Sequence, residues 1–235
     1  MGMMHASGAD DHTPFLHTLP TAVRTAFQQL GNRRCYAPRD ILISEGDPAH
    51  DLVLLREGLV KVTTRLHGEG EGLVDIRRAG DVVGEMAAMD SKPRSATVIA
   101  YNDVVATVIP PHDLRPFLAA TPEASQALKA LLCGRLRRAE RKLLIILGFP
   151  VKVRLARVLV ELTDLYGCRT RSQYRIDVNL TQAEYAALTG CKVRAIQEAF
   201  TELRREDLID PGYRRTNILN LEKLREVALL SAPAA

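Results

Sequence analysis

The sequence predicts an α+β protein built in three consecutive parts: an N-terminal β-roll of the jelly-roll kind (residues 15–120), a long helix (121–148) and a C-terminal winged helix-turn-helix (149–235). Three observations lead there. Short β-type runs bounded by glycine and aspartate fill residues 34–110. From Thr121 a helical run continues with no breaker but Gly134, and beyond it a capped short helix, a glycine turn and an amphipathic second helix lie between residues 180 and 221.

Size and composition agree with this division. A chain of 235 residues with 46% hydrophobic and 26% charged residues packs two ordinary domains without needing disulfides or a metal. No apolar run reaches the roughly 18 residues that cross a bilayer, so no membrane association is expected. The polar stretch 1–13 reads as a disordered start to a cytoplasmic protein. Cys35, Cys133, Cys168 and Cys191 are far apart, with no C-x-x-C pair and no histidine at zinc-ligand spacing, so no metal or iron-sulfur site is expected. Cys191 alone sits where a redox role is conceivable, at the expected start of the second helix of the helix-turn-helix. The chain also lacks a P-loop, a nucleophile elbow and an H-E-x-x-H helix, so no residue is assigned a catalytic role and an enzyme is not expected.

In order, the β-type runs are residues 41–43, 52–56, 59–66, 73–77, 96–101 and 104–109, with corners at Gly46-Asp47, Glu57-Gly58, 67–72 and Gly80-Asp81. Thr121-Pro122-Glu123 then has the form of a helix start, with a threonine cap, proline in the first turn and an acid at the positive end of the dipole. Along the helix Leu132, Leu136, Ala139, Leu143 and Ile146 recur at coiled-coil spacing, a narrow stripe suited to pairing with a second copy of the helix. Arg135, Arg137, Arg138, Arg141, Lys142, Lys152, Arg154 and Arg157 crowd this region; they form either a surface for a polyanion or a solvated helix face. Gly148-Phe149-Pro150 ends the helix, and a further helix (151–166) and a polar hairpin (167–177) follow.

Thr181 and Glu184 form a capping box that opens the first short helix, and Thr189-Gly190 closes it. A second helix from Cys191 to about Arg205 buries Ile196, Phe200 and Leu203. Its outward residues are Lys192, Arg194, Gln197, Glu198 and Thr201, and Lys192, Val193, Arg194, Gln197 and Glu198 with Thr181 and Gln182 form the candidate DNA-reading set, since such a helix fits a major groove. Residues 208–219 read as a strand, a basic turn and a return strand, a wing whose Arg214 and Arg215 suit phosphates.

The N-terminal half carries one further motif. In Gly84-Glu85-Met86 the glycine permits close approach of a ligand to the backbone and the following short helix aims amides at an anion, while Arg94 and Ser95 suit a phosphate and Glu85 a sugar hydroxyl. Taken alone, such residues are more often a turn and a surface ion pair.

With G-E-M-A at Gly84, R-S-A-T at Arg94, a long helix and L-T-Q-A-E-Y-A-A-L-T-G from Leu180 in that order, the chain resembles the bacterial family of the cyclic-AMP receptor protein and the fumarate and nitrate reduction regulator (CRP/FNR) over residues 15–221. The resemblance implies a cyclic-nucleotide-binding β-roll as sensor, a homodimer through the long helix, a near-palindromic double-stranded DNA operator and contact with RNA polymerase. It further implies that Gly84 and Glu85 meet a ribose, that Arg94 and Ser95 meet a cyclic phosphate, and that Arg135 lies near this pocket; Met86 completes the candidate ligand-binding set. Ala139 and Glu140, give or take one residue, stand where cyclic-AMP-binding members carry a threonine and a serine for the purine. Lys192-Val193-Arg194 stands where Ser-Arg-Glu is usual, so a different operator is expected. No cofactor is required; the effector implied is a cyclic nucleotide, whether cyclic AMP, cyclic GMP or a cyclic dinucleotide. The alternative keeps DNA binding with a vestigial pocket, the protein being active without ligand or controlled by a partner protein or a cysteine.

Overall fold

The computed structural model describes residues 13–66, 70–170, 173–212 and 215–230. A 3-10 turn (Phe15–Thr18) and α1 (Thr21–Phe27) lead into β1 (Asn32–Tyr36), β2 (Ile41–Ile43), β3 (Leu52–Glu57), β4 (Leu59–Arg65), β5 (Glu71–Arg78) and β6 (Val82–Val83). Then come α2 (Glu85–Asp90), β7 (Thr97–Ala100), β8 (Val104–Ile109), α3 (Pro111–Ala120), α4 (Pro122–Gly148) and α5 (Val151–Tyr166). The order finishes with β9 (Gly167–Thr170), β10 (Gln173–Ile176), α6 (Gln182–Thr189), α7 (Val193–Arg205), β11 (Ile209–Gly212), β12 (Arg215–Ile218) and α8 (Leu221–Val227). The chain separates into two compact units that meet within α4, one ending at Ala139 and the other beginning at Glu140.

The first unit is a β-roll of two antiparallel four-stranded sheets, ordered β1-β8-β3-β6 and β2-β7-β4-β5. Strand β3 explains why its sequence is a continuous apolar run rather than an alternating one. Leu52 and Leu54 pack with Phe15, Phe27, Leu114 and Leu128 under the helices, while Val53 and Leu55 pack between the sheets with Val60, Val98 and Ala106. The six expected runs appear as β2, β3, β4, β5, β7 and β8. Two strands escaped the pattern. Strand β1 (Asn-Arg-Arg-Cys-Tyr) is exposed over four of its five residues, so it carries no buried alternation, and β6 is only two residues long between Gly80 and Gly84. The corner expected at 67–72 falls partly on residues 67–69, outside the described residues.

Helix α4 begins in the core of this unit with Ala124 and Leu128 buried, and its later apolar side chains Leu136, Leu143, Leu144 and Leu147 stand 57–75% exposed. Of the expected stripe, Leu136, Ala139 and Leu143 are exposed and Leu132 half-buried. Ile146 departs from it: its side chain lies against Gly190 of the same chain, and Leu147 is the exposed residue of that last turn.

In the second unit α5 buries Leu155, Ala156, Leu159 and Val160, and α7 buries Ile196, Ala199, Phe200 and Leu203, with Tyr185 of α6 edge-on to Phe200 at 5.1 Å. A sheet ordered β11-β12-β10-β9 flanks them. Helix α7 starts at Val193, two residues later than expected. The reason lies in the turn: Gly190 is left-handed (φ 61), the Cys191 N–H donates back to Ala186 O (3.0 Å), and Lys192 is extended as the N-cap. Cys191 therefore belongs to the turn and not to α7.

Candidate functional site

In the first unit the chain leaves β6 through Gly84, left-handed at φ 77, and enters α2 at Glu85. The turn needs glycine for space as well as for φ, because a β-carbon there would collide with Arg94 Nη1 and approach Ile43 Cδ1 to 3.0 Å. Arg94 comes in from the loop before β7, where its backbone N–H donates to Asp47 O (2.9 Å) and its carbonyl accepts from Gly46 N–H (2.8 Å). The side chain is 5% exposed and Nη1 donates to Gly84 O (3.0 Å). Burial lowers the pKa of Arg94, and the carboxylates of Asp51, Asp47 and Glu85 act in the opposite direction, so the guanidinium keeps its charge.

Glu85, also buried, is ion-paired with Arg135 of α4, whose Nη2 donates to Val82 O (2.7 Å). Burial lowers the Arg135 pKa as well, with Glu85 the largest opposing influence; its Nε is buried without a partner. Ser95 Oγ lies 3.6 Å from Met86 Sδ, both residues being exposed. All six candidate residues of this motif therefore fall in one cluster around α2. The acids Asp47 and Asp51 were missed; the sequence showed Gly46-Asp47 only as a corner.

In the second unit the capping box is present in both directions: Thr181 N–H donates to Glu184 Oε2 (2.7 Å) and Glu184 N–H to Thr181 Oγ1 (3.2 Å). Gln197 Nε2 donates to Gln182 Oε1 (2.8 Å), tying α7 to the start of α6. Lys192, Val193 and Arg194 stand exposed at the start of α7, and Arg194 forms an exposed i,i+4 pair with Glu198 at 3.3 Å. Arg215 is exposed on β12, at the wing. Arg214 lies outside the described residues.

At least five of the eight residues in the basic cluster have partners within the chain. Arg135 pairs with Glu85, Arg138 with Asp75 (3.8 Å), and Lys152 with Glu202 and Glu206. Arg154 binds backbone carbonyls, and Arg157 stacks over Phe149 at 4.5 Å.

Among the described residues no helix is long and apolar enough to cross a membrane, and no group of side chains is arranged to hold a metal. Residues 33–121 match the cyclic nucleotide-binding domain, and residues 153–227 match the Crp-like helix-turn-helix domain. The CRP-like cAMP-activated global transcriptional regulator of Mycobacterium tuberculosis is 29% identical over 161 residues, 68% of this chain and 72% of that protein. The cyclic AMP receptor protein of Thermus thermophilus is 26% identical over 217 residues, 92% and 97% of the two chains. The crystal structure of a CRP-family transcriptional regulator from the same organism superposes with a TM-score of 0.71 at 26% identity, over 86% of this chain and all of that one. With a cyclic nucleotide-binding β-roll, a long helix and a Crp-like DNA-binding helix-turn-helix in that order, the chain belongs to the CRP/FNR family of transcription regulators, which are not enzymes.

Proposed function

We propose that the protein is a cytoplasmic, homodimeric, sequence-specific transcription regulator whose DNA affinity is set by a cyclic nucleotide bound around α2. The observation that carries the effector site is Arg94: a buried guanidinium that makes one hydrogen bond, to Gly84 O, and no ion pair among the described residues. Its remaining N–H groups are available to a phosphate, with Ser95 beside it, Glu85 and Met86 toward the sugar and Arg135 behind Glu85. Pairing through the exposed stripe of α4 places two copies of α7 on a near-palindromic operator, with half-sites about one helical turn apart. Lys192, Val193, Arg194, Gln197 and Glu198 read the groove, Thr181, Gln182, Arg214 and Arg215 approach the backbone, and the bound dimer recruits or blocks RNA polymerase. The parts correspond to a sensor at residues 15–120, a dimerisation helix at 121–148 and a DNA-binding domain at 149–235.

A second reading has a specific observation in its favour. The Glu85 carboxylate is already taken by Arg135, so part of the site is satisfied without a ligand, as in a regulator that acts with a vestigial pocket under the control of a partner or a cysteine. Calorimetry separates the two. The first reading expects heat from cyclic AMP, cyclic GMP or a cyclic dinucleotide, and its loss in Arg94→Ala with the dimer intact. No heat from any of them, with tight operator binding by the ligand-free protein, selects the second.

A further inference from the structure

The turn between α6 and α7 is gripped by two side chains that are not on the reading face. From the first turn of α5, Arg154 Nη1 donates to Thr189 O (2.8 Å) and Gly190 O (3.3 Å), the last carbonyls of α6. That is a cation at the negative end of the helix dipole, and it occupies acceptors that the helix itself leaves unpaired. From the last turn of α4, Ile146 closes the other side: a β-carbon at Gly190 would lie 2.8–3.1 Å from three of its side-chain atoms. Thr189, fully buried, donates to Tyr185 O (2.7 Å).

We infer that Arg154 and Ile146 are positioning residues for operator recognition: together they seat the α6–α7 turn and so fix the direction in which α7 presents Val193 and Arg194, without touching DNA. Base-edge hydrogen bonds hold only within about 0.5 Å of their best geometry. Val193 follows Gly190 by three residues, so a small rotation of the turn displaces the reading side chains by a comparable amount. The guanidinium nitrogen that binds the two carbonyls is not free for a phosphate, and Arg154 Nε is buried without a partner. The arrangement also joins the end of α4 to the reading helix, so that a shift of that last turn passes through Ile146 into the turn. The inference rests on α7 being the helix that reads DNA.

The test uses the full-length protein and an operator selected by the wild type from random-sequence duplexes. Affinity for that operator and for random DNA is measured over a range of salt concentrations for Arg154→Ala, Arg154→Lys and Ile146→Ala, with thermal melting as the control for folding. Arg154→Ala and Ile146→Ala should lose about tenfold or more on the operator while changing by less than about twofold on random DNA, because the loss is of orientation and not of charge on phosphate. The slope of log affinity against log salt should stay as in the wild type, and Arg154→Lys should recover most of the loss. An equal loss on both DNAs with a slope smaller by about one makes Arg154 a phosphate contact and overturns the inference. So does unchanged operator affinity in Arg154→Ala and Ile146→Ala. If Arg154→Ala melts below the assay temperature, the operator-to-random ratio of Ile146→Ala decides alone. A wild type that selects no operator overturns the reading of α7 itself.

Discussion

Replacing Gly84 by alanine perturbs the cassette in two separable ways. At φ 77 an L-residue costs about 1–2 kcal/mol of backbone strain. The new methyl also occupies the place of Arg94 Nη1, so the guanidinium must give up its bond to Gly84 O, and a hydrogen bond from a charged donor contributes about 1.5–3 kcal/mol. Arg94 is 5% exposed, so solvent screening does little to reduce that figure. Gly84→Ala alone should therefore cost about 2.5–5 kcal/mol. In an Arg94→Ala background the strain of about 1–2 kcal/mol and the contacts with Ile43 Cδ1 and Asp51 O remain and cancel in the cycle, leaving a coupling of about 1.5–3 kcal/mol between the two sites. Urea unfolding of the wild type, both single variants and the double variant, followed by far-ultraviolet circular dichroism, measures it. Additivity within about 0.5 kcal/mol would refute the argument, since the methyl would then be meeting something other than Arg94.

Two further outcomes follow from the geometry. Leu136→Glu with Leu143→Glu places charge on the exposed stripe of α4 and should convert a dimer to a monomer in sedimentation analysis while leaving the melting of the β-roll nearly unchanged; a dimer of unchanged mass would remove α4 as the pairing surface. Arg194→Ala, at a side chain 90% exposed, should relax preference at one base pair of each half-site by about 1–3 kcal/mol in a competition assay against single-base operator variants, whereas a uniform loss over all sequences would mark Arg194 as a phosphate contact.

Much of what local rules govern in the backbone was legible in the sequence. The Thr181–Glu184 capping box, the glycine at position 190 and the buried positions Ile196, Phe200 and Leu203 all depend on neighbours within four residues, and all occur as expected. The order of the cassette residues was equally plain, because Gly84 and Arg94 lie ten positions apart on one side of β7. Long-range partners were not readable. That Glu85 would spend its charge on Arg135, that Lys152 would reach Glu206, and that Ile146 would turn from the stripe to Gly190 depend on which helices meet, and no periodicity within one segment carries that information. The start of α7 slipped for a local reason: Cys191 and Lys192 fit a helix by composition, but the Cys191 N–H is used by Ala186 O at the end of α6, and Lys192 is the extended N-cap of α7.

Strand β1 stands at the outer edge of its sheet, hydrogen-bonded to β8 on one side only. An edge strand offers a row of free amides and carbonyls to any extended chain that drifts past, and is the usual place where sheet proteins begin to aggregate. Here Arg33 and Arg34 occupy the middle of that row, one on each face of the strand, so an incoming strand would have to bring its backbone against a charged and hydrated side chain on both faces. The polar composition that concealed β1 from hydrophobic patterning thus guards the sheet against self-association.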